Sequence, residues 1–158
     1  MIELPPSAQS PMSLGNAAKS DMRTQFGALC YRLVSGKPQV LLITSRTRGR
    51  WIIPKGWPVE GLTPAQSAER EAWEEAGVKG RINSVCLGMY SYNKEIAPGD
   101  FLPCMVAVFP LKVKTIAEQF PEVSERRRKW YSLPKAARKS DGAELGNIIS
   151  HFDPRMFR

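Results

Sequence analysis

The sequence predicts an α/β domain. Three observations carry this. Short strand-like runs recur along the chain, a segment between them has the caps and spacing of a helix, and no internal repeat or second domain is visible. A length of 158 residues fits one domain with a buried core. Residues 1–23 are expected to form a flexible tail, because the stretch to about Met22 is rich in Pro, Ser and small residues and lacks periodicity. The folded domain is expected over 24–158. Gln25 to Leu33 and Gln39 to Thr44 read as strands, with Ser35-Gly36-Lys37-Pro38 supplying the turn of a hairpin. Trp51 to Ile53 reads as a short strand ended by Pro54. A helix is predicted over Pro64 to Ala76. Thr63 suits its N-cap, Pro64 its first position and Gly77 its left-handed end. Ala65, Ala68 and Ala72 give it a small-residue face for close packing. Arg81 to Tyr92 and Leu102 to Val113 read as a long hairpin turning at Ala97-Pro98-Gly99-Asp100. Trp130-Tyr131 marks a further strand, Pro134 to Arg138 a helical turn, and Ala143 to His151 a last helix.

The predicted helix carries the chemistry. Glu71, Glu74 and Glu75 stand at i, i+3 and i+4 and share one face. Like charges so spaced repel by a few tenths of a kcal/mol per pair. A solvated acidic face is the bland explanation; a divalent cation that offsets the repulsion is the sharper one. Hard cations such as Mg²⁺ take carboxylate oxygens and keep positions open for water and phosphates.

The flanking residues decide between these. Gly56, Arg70-Glu71, Glu74-Glu75 and Gly77-Val78 match the Nudix box in type and spacing, and roughly residues 24 to 153 resemble the Nudix hydrolase superfamily. Within it the chain looks closest to diadenosine and diphosphoinositol polyphosphate phosphohydrolases. The residues carrying this are Leu42 to Arg46, Arg50 to Gly56, Ala68 to Gly80 and Arg126 to Tyr131. The resemblance implies an α/β/α sandwich with a mixed β-sheet, the box forming a loop–helix–loop. It also implies hydrolysis of a phosphoanhydride bond with Mg²⁺ as cofactor, Mn²⁺ being the alternate ion. Glu71 and Glu75 are then the main metal ligands, with Glu74 and the backbone carbonyl of Gly56 as further ones. Glu74 or Glu71 would serve the attacking water as base, and Arg70 and Gly77 would shape the box. One position departs from the motif. Leu62 stands where the box has a Glu that commonly helps hold the loop and its Arg, and the nearest acid is Glu60. Either Glu60 takes over by a local shift, or the loop is held differently.

Composition sets outer limits. The net charge is +8 although the box is acidic, so positive charge concentrates elsewhere. Such a field suits a multiply phosphorylated small molecule or nucleic acid. Lys55 sits where the loop approaches phosphate. Arg46, Arg48 and Arg50 form one basic run, and Arg126 to Lys129 a second. By motif position Arg23, Ser45, Arg46 and Arg126 are the substrate-contact candidates. Guanidinium forks match phosphate oxygens bidentately. Lys94 and Glu95 begin the loop that caps the pocket in relatives, and Trp57 and Tyr92 are candidates for stacking on a base. Two alternatives stand beside a small-molecule polyphosphate: an RNA 5′ end, and a non-catalytic nucleotide sensor. No apolar run is long enough to cross a bilayer and no secretory signal is visible. The three cysteines, each in an apolar run, read as reduced core thiols of a cytoplasmic protein.

Overall fold

The structure is a computed structural model that describes residues 9–15 and 23–157. Its strands are β1 (Thr24–Val34), β2 (Lys37–Thr44), β3 (Trp51–Ile52), β4 (Lys55–Gly56), β5 (Val78–Ile82), β6 (Gly88–Ala97), β7 (Asp100–Ile116) and β8 (Arg128–Ser132). Its helices are α1 (Pro64–Ala76), α2 (Leu133–Lys139) and α3 (Ala143–Ser150). One path through the sheet runs β3-β2-β1-β7-β5, with β4 on β1, β6 on β7 and β8 on β2. The β1–β7 pairing is parallel and aligns Thr24 with Met105 through Tyr31 with Lys112. The other pairings are antiparallel, so the sheet is mixed.

Strand alternation divides the core into two layers. Ala28, Cys30, Leu41, Ile43, Phe109 and Leu111 face α1, meeting its row of Ala65, Ala68, Ala72 and Ala76. Leu29, Tyr31, Val40, Leu42, Val106 and Val108 face the other way, against Ala136, Leu145 and Ile149 of α2 and α3. Because successive side chains of a strand point to opposite faces, the almost continuous apolar runs of β1 and β2 bury both sides. This is the expected α/β/α sandwich.

Three elements differ from the sequence expectation. The run Arg81 to Tyr92 is not one strand. β5 pairs with the far half of β7, aligning Ile82 with Leu111, and β6 with its near half, aligning Gly88 with Val108. The linker between them swings outward, so Cys86 is exposed rather than a core residue, while Cys30 and Cys104 are buried. β4 has no hydrophobic signature and exists because Lys55 and Gly56 pair with Gly27 and Phe26. Part of the expected tail is seated on the domain: residues 9–14 bond to the loop before α1 and to its first turn. Residues 1–8 and 16–22 of that tail lie outside the described residues.

Candidate functional site

α1 begins as its residues dictate. Thr63 and Gln66 form a reciprocal capping box, with the Thr63 hydroxyl accepting from Gln66 N at 3.1 Å and Gln66 Oε1 from Thr63 N at 3.0 Å. It ends on Gly77 at φ 67°, whose N–H bonds back to Ala72 and Trp73. A Cβ on Gly77 would also strike the Phe120 ring. Arg128 closes this end, its guanidinium donating to the carbonyl of Ala76 at 2.6 Å and to that of Ala117. A cation on the last carbonyls of a helix is favourable both as hydrogen bond and against the dipole.

Two of the three carboxylates meet the backbone of β4. Glu71 packs against Gly56 so closely that a Cβ there would run into its carboxyl group. Glu75 accepts from Lys55 N at 3.0 Å. Glu75 is buried, and that burial pushes its carboxyl up to about 7, against the pull of Arg126 and Lys55. Glu74 is turned toward Arg70, which donates to it along the same helix at 3.1 Å. Arg70 thus pairs within α1. Among the described residues no three acidic, His or Cys side chains converge as a ready metal cluster. The donor set nevertheless fits a hard divalent cation. Such ions commonly take one or two carboxylates and keep several waters, and Glu71 and Glu75 flank a backbone stripped of side chain at Gly56.

The substrate-contact candidates separate. Ser45, Arg46 and Lys55 line a cavity of about 240 Å³, together with Arg48, Arg50, Tyr92, Lys94 and Phe101. Ser45 shapes its rim: Ser45 N donates to Arg50 O at 2.7 Å, and the Ser45 hydroxyl accepts from Arg50 N at 3.0 Å. Arg46 reaches Glu122 and Glu125 at 3.7 and 3.8 Å. Arg48 pairs with Glu95, and Arg50 with Asp141. Lys55 Nζ lies 4.6 Å from the centre of the Tyr92 ring, and burial pulls its ammonium down to about 8. Arg126 touches the cavity but is committed elsewhere. Its side chain is 7% exposed and donates to Glu75 at 3.1 Å, Glu122 at 3.4 Å and the Thr44 carbonyl at 3.1 Å. Arg23 is exposed at the start of β1, where its carbonyl accepts from Met105, and is not among the cavity residues. Trp57 lies outside the cavity lining, 5.9 Å below Lys94 Nζ. Sequence reasoning passed over Phe101 and Asp141. Phe101 had a signal, being a large ring just past a hairpin tip; Asp141 had none, since only the fold brings the α2–α3 link to Arg50.

The Nudix domain profile matches residues 23–152. Nudix hydrolase 13, mitochondrial, of Arabidopsis thaliana is 31% identical over 134 residues, covering 74% of this chain and 66% of that protein. Diphosphoinositol polyphosphate phosphohydrolase 3-alpha of Mus musculus is 30% identical over 116 residues, covering 72% and 66%. The chain therefore spans just under two thirds of the length of these relatives. Among solved structures, the C. elegans Ap4A hydrolase superposes with a TM-score of 0.57 at 26% identity, covering 80% of this chain and 92% of that one. No helix among the described residues is long and apolar enough to cross a membrane.

Proposed function

The chain belongs to the Nudix family, and from that premise we propose that it hydrolyses phosphoanhydrides and that its substrate is a diadenosine polyphosphate or a closely similar nucleoside polyphosphate. One observation carries the substrate class. The cavity beside the carboxylate helix combines Arg46, Arg48, Arg50, Lys55 and Lys94 with the rings of Tyr92 and Phe101. Cations recognise a phosphate chain, and a base offers a π-face to an aromatic ring. A diphosphoinositol polyphosphate would use the cations but offer no base to the Phe101 ring, which is 46% exposed at the rim beside Arg48.

In this reading Glu71 and Glu75, with the Gly56 carbonyl, would hold Mg²⁺, or Mn²⁺ in its place. When bound, the ion polarises the phosphoryl oxygens and lowers the pKa of water for attack. The chain's own groups do the rest. Glu74, oriented by Arg70, takes the proton from the attacking water. Lys55 and Arg46 hold phosphate oxygens along the cavity. Arg126 favours the ionised form of Glu75 against its burial and holds it aimed at β4 rather than touching substrate. Three free cysteines suit a reducing compartment, the cytoplasm in this proposal.

The test is phosphate release with Mg²⁺ from diadenosine polyphosphates, inositol pyrophosphates, nucleotide sugars and triphosphorylated RNA. The diadenosine series should be hydrolysed fastest, and Phe101→Ala should raise KM on it while leaving inositol pyrophosphates unaffected. Preference for triphosphorylated RNA would move the proposal to an RNA 5′ end. No turnover of any, with retained nucleotide binding, would make the chain a sensor.

A further inference from the structure

The loop 57–63 joins β4, where Gly56 meets Glu71, to the first turn of α1. Its own bonds are few: Val59 N donates to the Ser67 hydroxyl at 3.2 Å, and Leu62 N to Val59 O at 3.1 Å around Gly61, at φ 80°. Glu60 is exposed, and Leu62 offers no polar group. A second layer of bonds comes from far upstream. Met12 N donates to Leu62 O and Gly61 N to Met12 O, both at 3.0 Å, a two-bond bridge between backbones. The Glu60 carboxylate accepts from Leu14 N at 2.7 Å. The Gln9 amide spans two elements: its oxygen accepts from Ala65 N at 3.0 Å and its nitrogen donates to Ser84 O at 3.2 Å.

The Ala65 bond matters most for α1. The first N–H groups of a helix have no partner within it. Here Pro64 has none to offer, Gln66 N is taken by Thr63, and Ser67 N reaches Thr63 O. Ala65 N is the remaining donor, and Gln9 satisfies it from more than fifty residues away. Six residues of chain thus cap the helix, pair with the loop and tie both to the β5–β6 link.

We propose that residues 9–14 are an internal strap that fixes the loop 57–63, and through it the seat of Gly56 against Glu71. Gln9, Glu60 and the Met12 backbone are positioning residues for the hydrolase; none touches substrate. The strap supplies what Leu62 cannot. Its activity arm rests on the phosphohydrolase reading above; its exchange arm does not.

The experiment compares the full chain with Gln9→Ala, Met12→Pro and Glu60→Ala, and with Glu60→Gln, whose amide oxygen still accepts from Leu14. Met12→Pro deletes one backbone donor. Amide hydrogen exchange is followed over residues 52–66, with α3 as internal reference, alongside kcat and KM. Losing one or two bonds of this kind should speed exchange at Gly61 and Ala65 about fivefold. Exchange in α3 should stay unchanged, which reports that the variants are folded. kcat should fall several-fold with KM held, and Glu60→Gln should retain most of both. Unchanged exchange over 52–66 would overturn the strap. Faster exchange with unaltered kcat, or a rise in KM alone, would overturn its positioning role. If the parent chain hydrolyses none of the substrates, the substrate reading fails and exchange alone decides whether the loop is strapped.

Discussion

Replacing Arg126 tests whether the second basic run serves substrate or structure. By motif position Arg126 is a phosphate contact, and on that basis Arg126→Ala should raise KM more steeply as the phosphate chain lengthens. The structure gives a different outcome. The Arg126 and Glu75 side chains are 7% and 9% exposed and 3.1 Å apart. Removing Arg126 takes away the principal cation facing buried Glu75, which is left with Lys55 alone, and should cost up to about 3–5 kcal/mol. For a domain of this size each kcal/mol lowers Tm by about 2–4 °C, so the variant should melt up to roughly 6–20 °C below the parent. Guanidinium denaturation and calorimetry read this directly. A double variant separates ion pairing from packing. Adding Glu75→Gln to Arg126→Met removes the buried charge and should recover part of the loss seen in Arg126→Met alone. A melting point within about 2 °C of the parent, together with a chain-length-dependent KM, would refute the buried-pair reasoning and return Arg126 to the substrate.

Glu71→Gln and Glu75→Gln should each lower turnover by orders of magnitude while far-UV circular dichroism stays that of the parent; near-normal kcat in both would remove the proposed cation site. Gly56→Ala should do the same by displacing Glu71, and should weaken Mg²⁺ binding in calorimetric titration, whereas unaltered Mg²⁺ affinity would detach Gly56 from that site. Arg46→Ala, an exposed change, should leave stability within about 0.5 kcal/mol and raise KM, more for longer phosphate chains and less at high salt; equal effects on short and long chains would count against it as a phosphate contact. Leu62→Glu should be tolerated with little change in kcat, because the loop already has its bonds; a marked gain would show that the loop was poorly held.

The legible parts of the molecule were those set by local chemistry. Thr63, Pro64, Gly77 and the alanine row determine α1 through caps and side-chain size alone, and the apolar runs of β1 and β2 announce burial on both faces. The divided strand 81–92 was not legible. Its two halves are held by different halves of a seventeen-residue partner, and the one turn signal between them, Asn83-Ser84, where the Asn83 side chain accepts from Val85 N at 2.9 Å, sits inside an otherwise apolar run. β4 was hidden for the same reason, since two residues carry no period. The site divides similarly. Carboxylates at i and i+4 must share a face, but which cation each one meets depends on strands that arrive from elsewhere. The basic run at 126–129 looked uniform in sequence. Entering a strand splits it by alternation: Arg126 and Arg128 turn inward to Glu75 and the end of α1, while Arg127 and Lys129 lie over Trp51 and Tyr131.

That inward turn links the two halves of the site. Lys55 N–H, Glu75, Arg126, Glu122 and Arg46 form a continuous series of contacts from the β4 backbone to the cavity rim. Glu122 is shared: it accepts from buried Arg126 at 3.4 Å and faces exposed Arg46 at 3.7 Å. Its place is fixed from below, because Glu122 N donates to the Glu74 carbonyl at the end of α1. A phosphate bound at Arg46, as proposed, would therefore compete with a carboxylate that cannot easily move away. Glu125, half exposed and 3.8 Å from the same guanidinium, is the more displaceable partner. Arg46 is thus held near the cavity before substrate arrives, which lowers the ordering entropy lost on binding. The exchange of Glu125 for phosphate costs little, since exposed pairs of this kind contribute only about 0–1 kcal/mol. Glu125→Gln should consequently tighten substrate binding slightly, whereas Glu122→Gln should weaken stability through Arg126. Equal, purely kinetic effects of the two substitutions would contradict this division between a structural and a displaceable carboxylate.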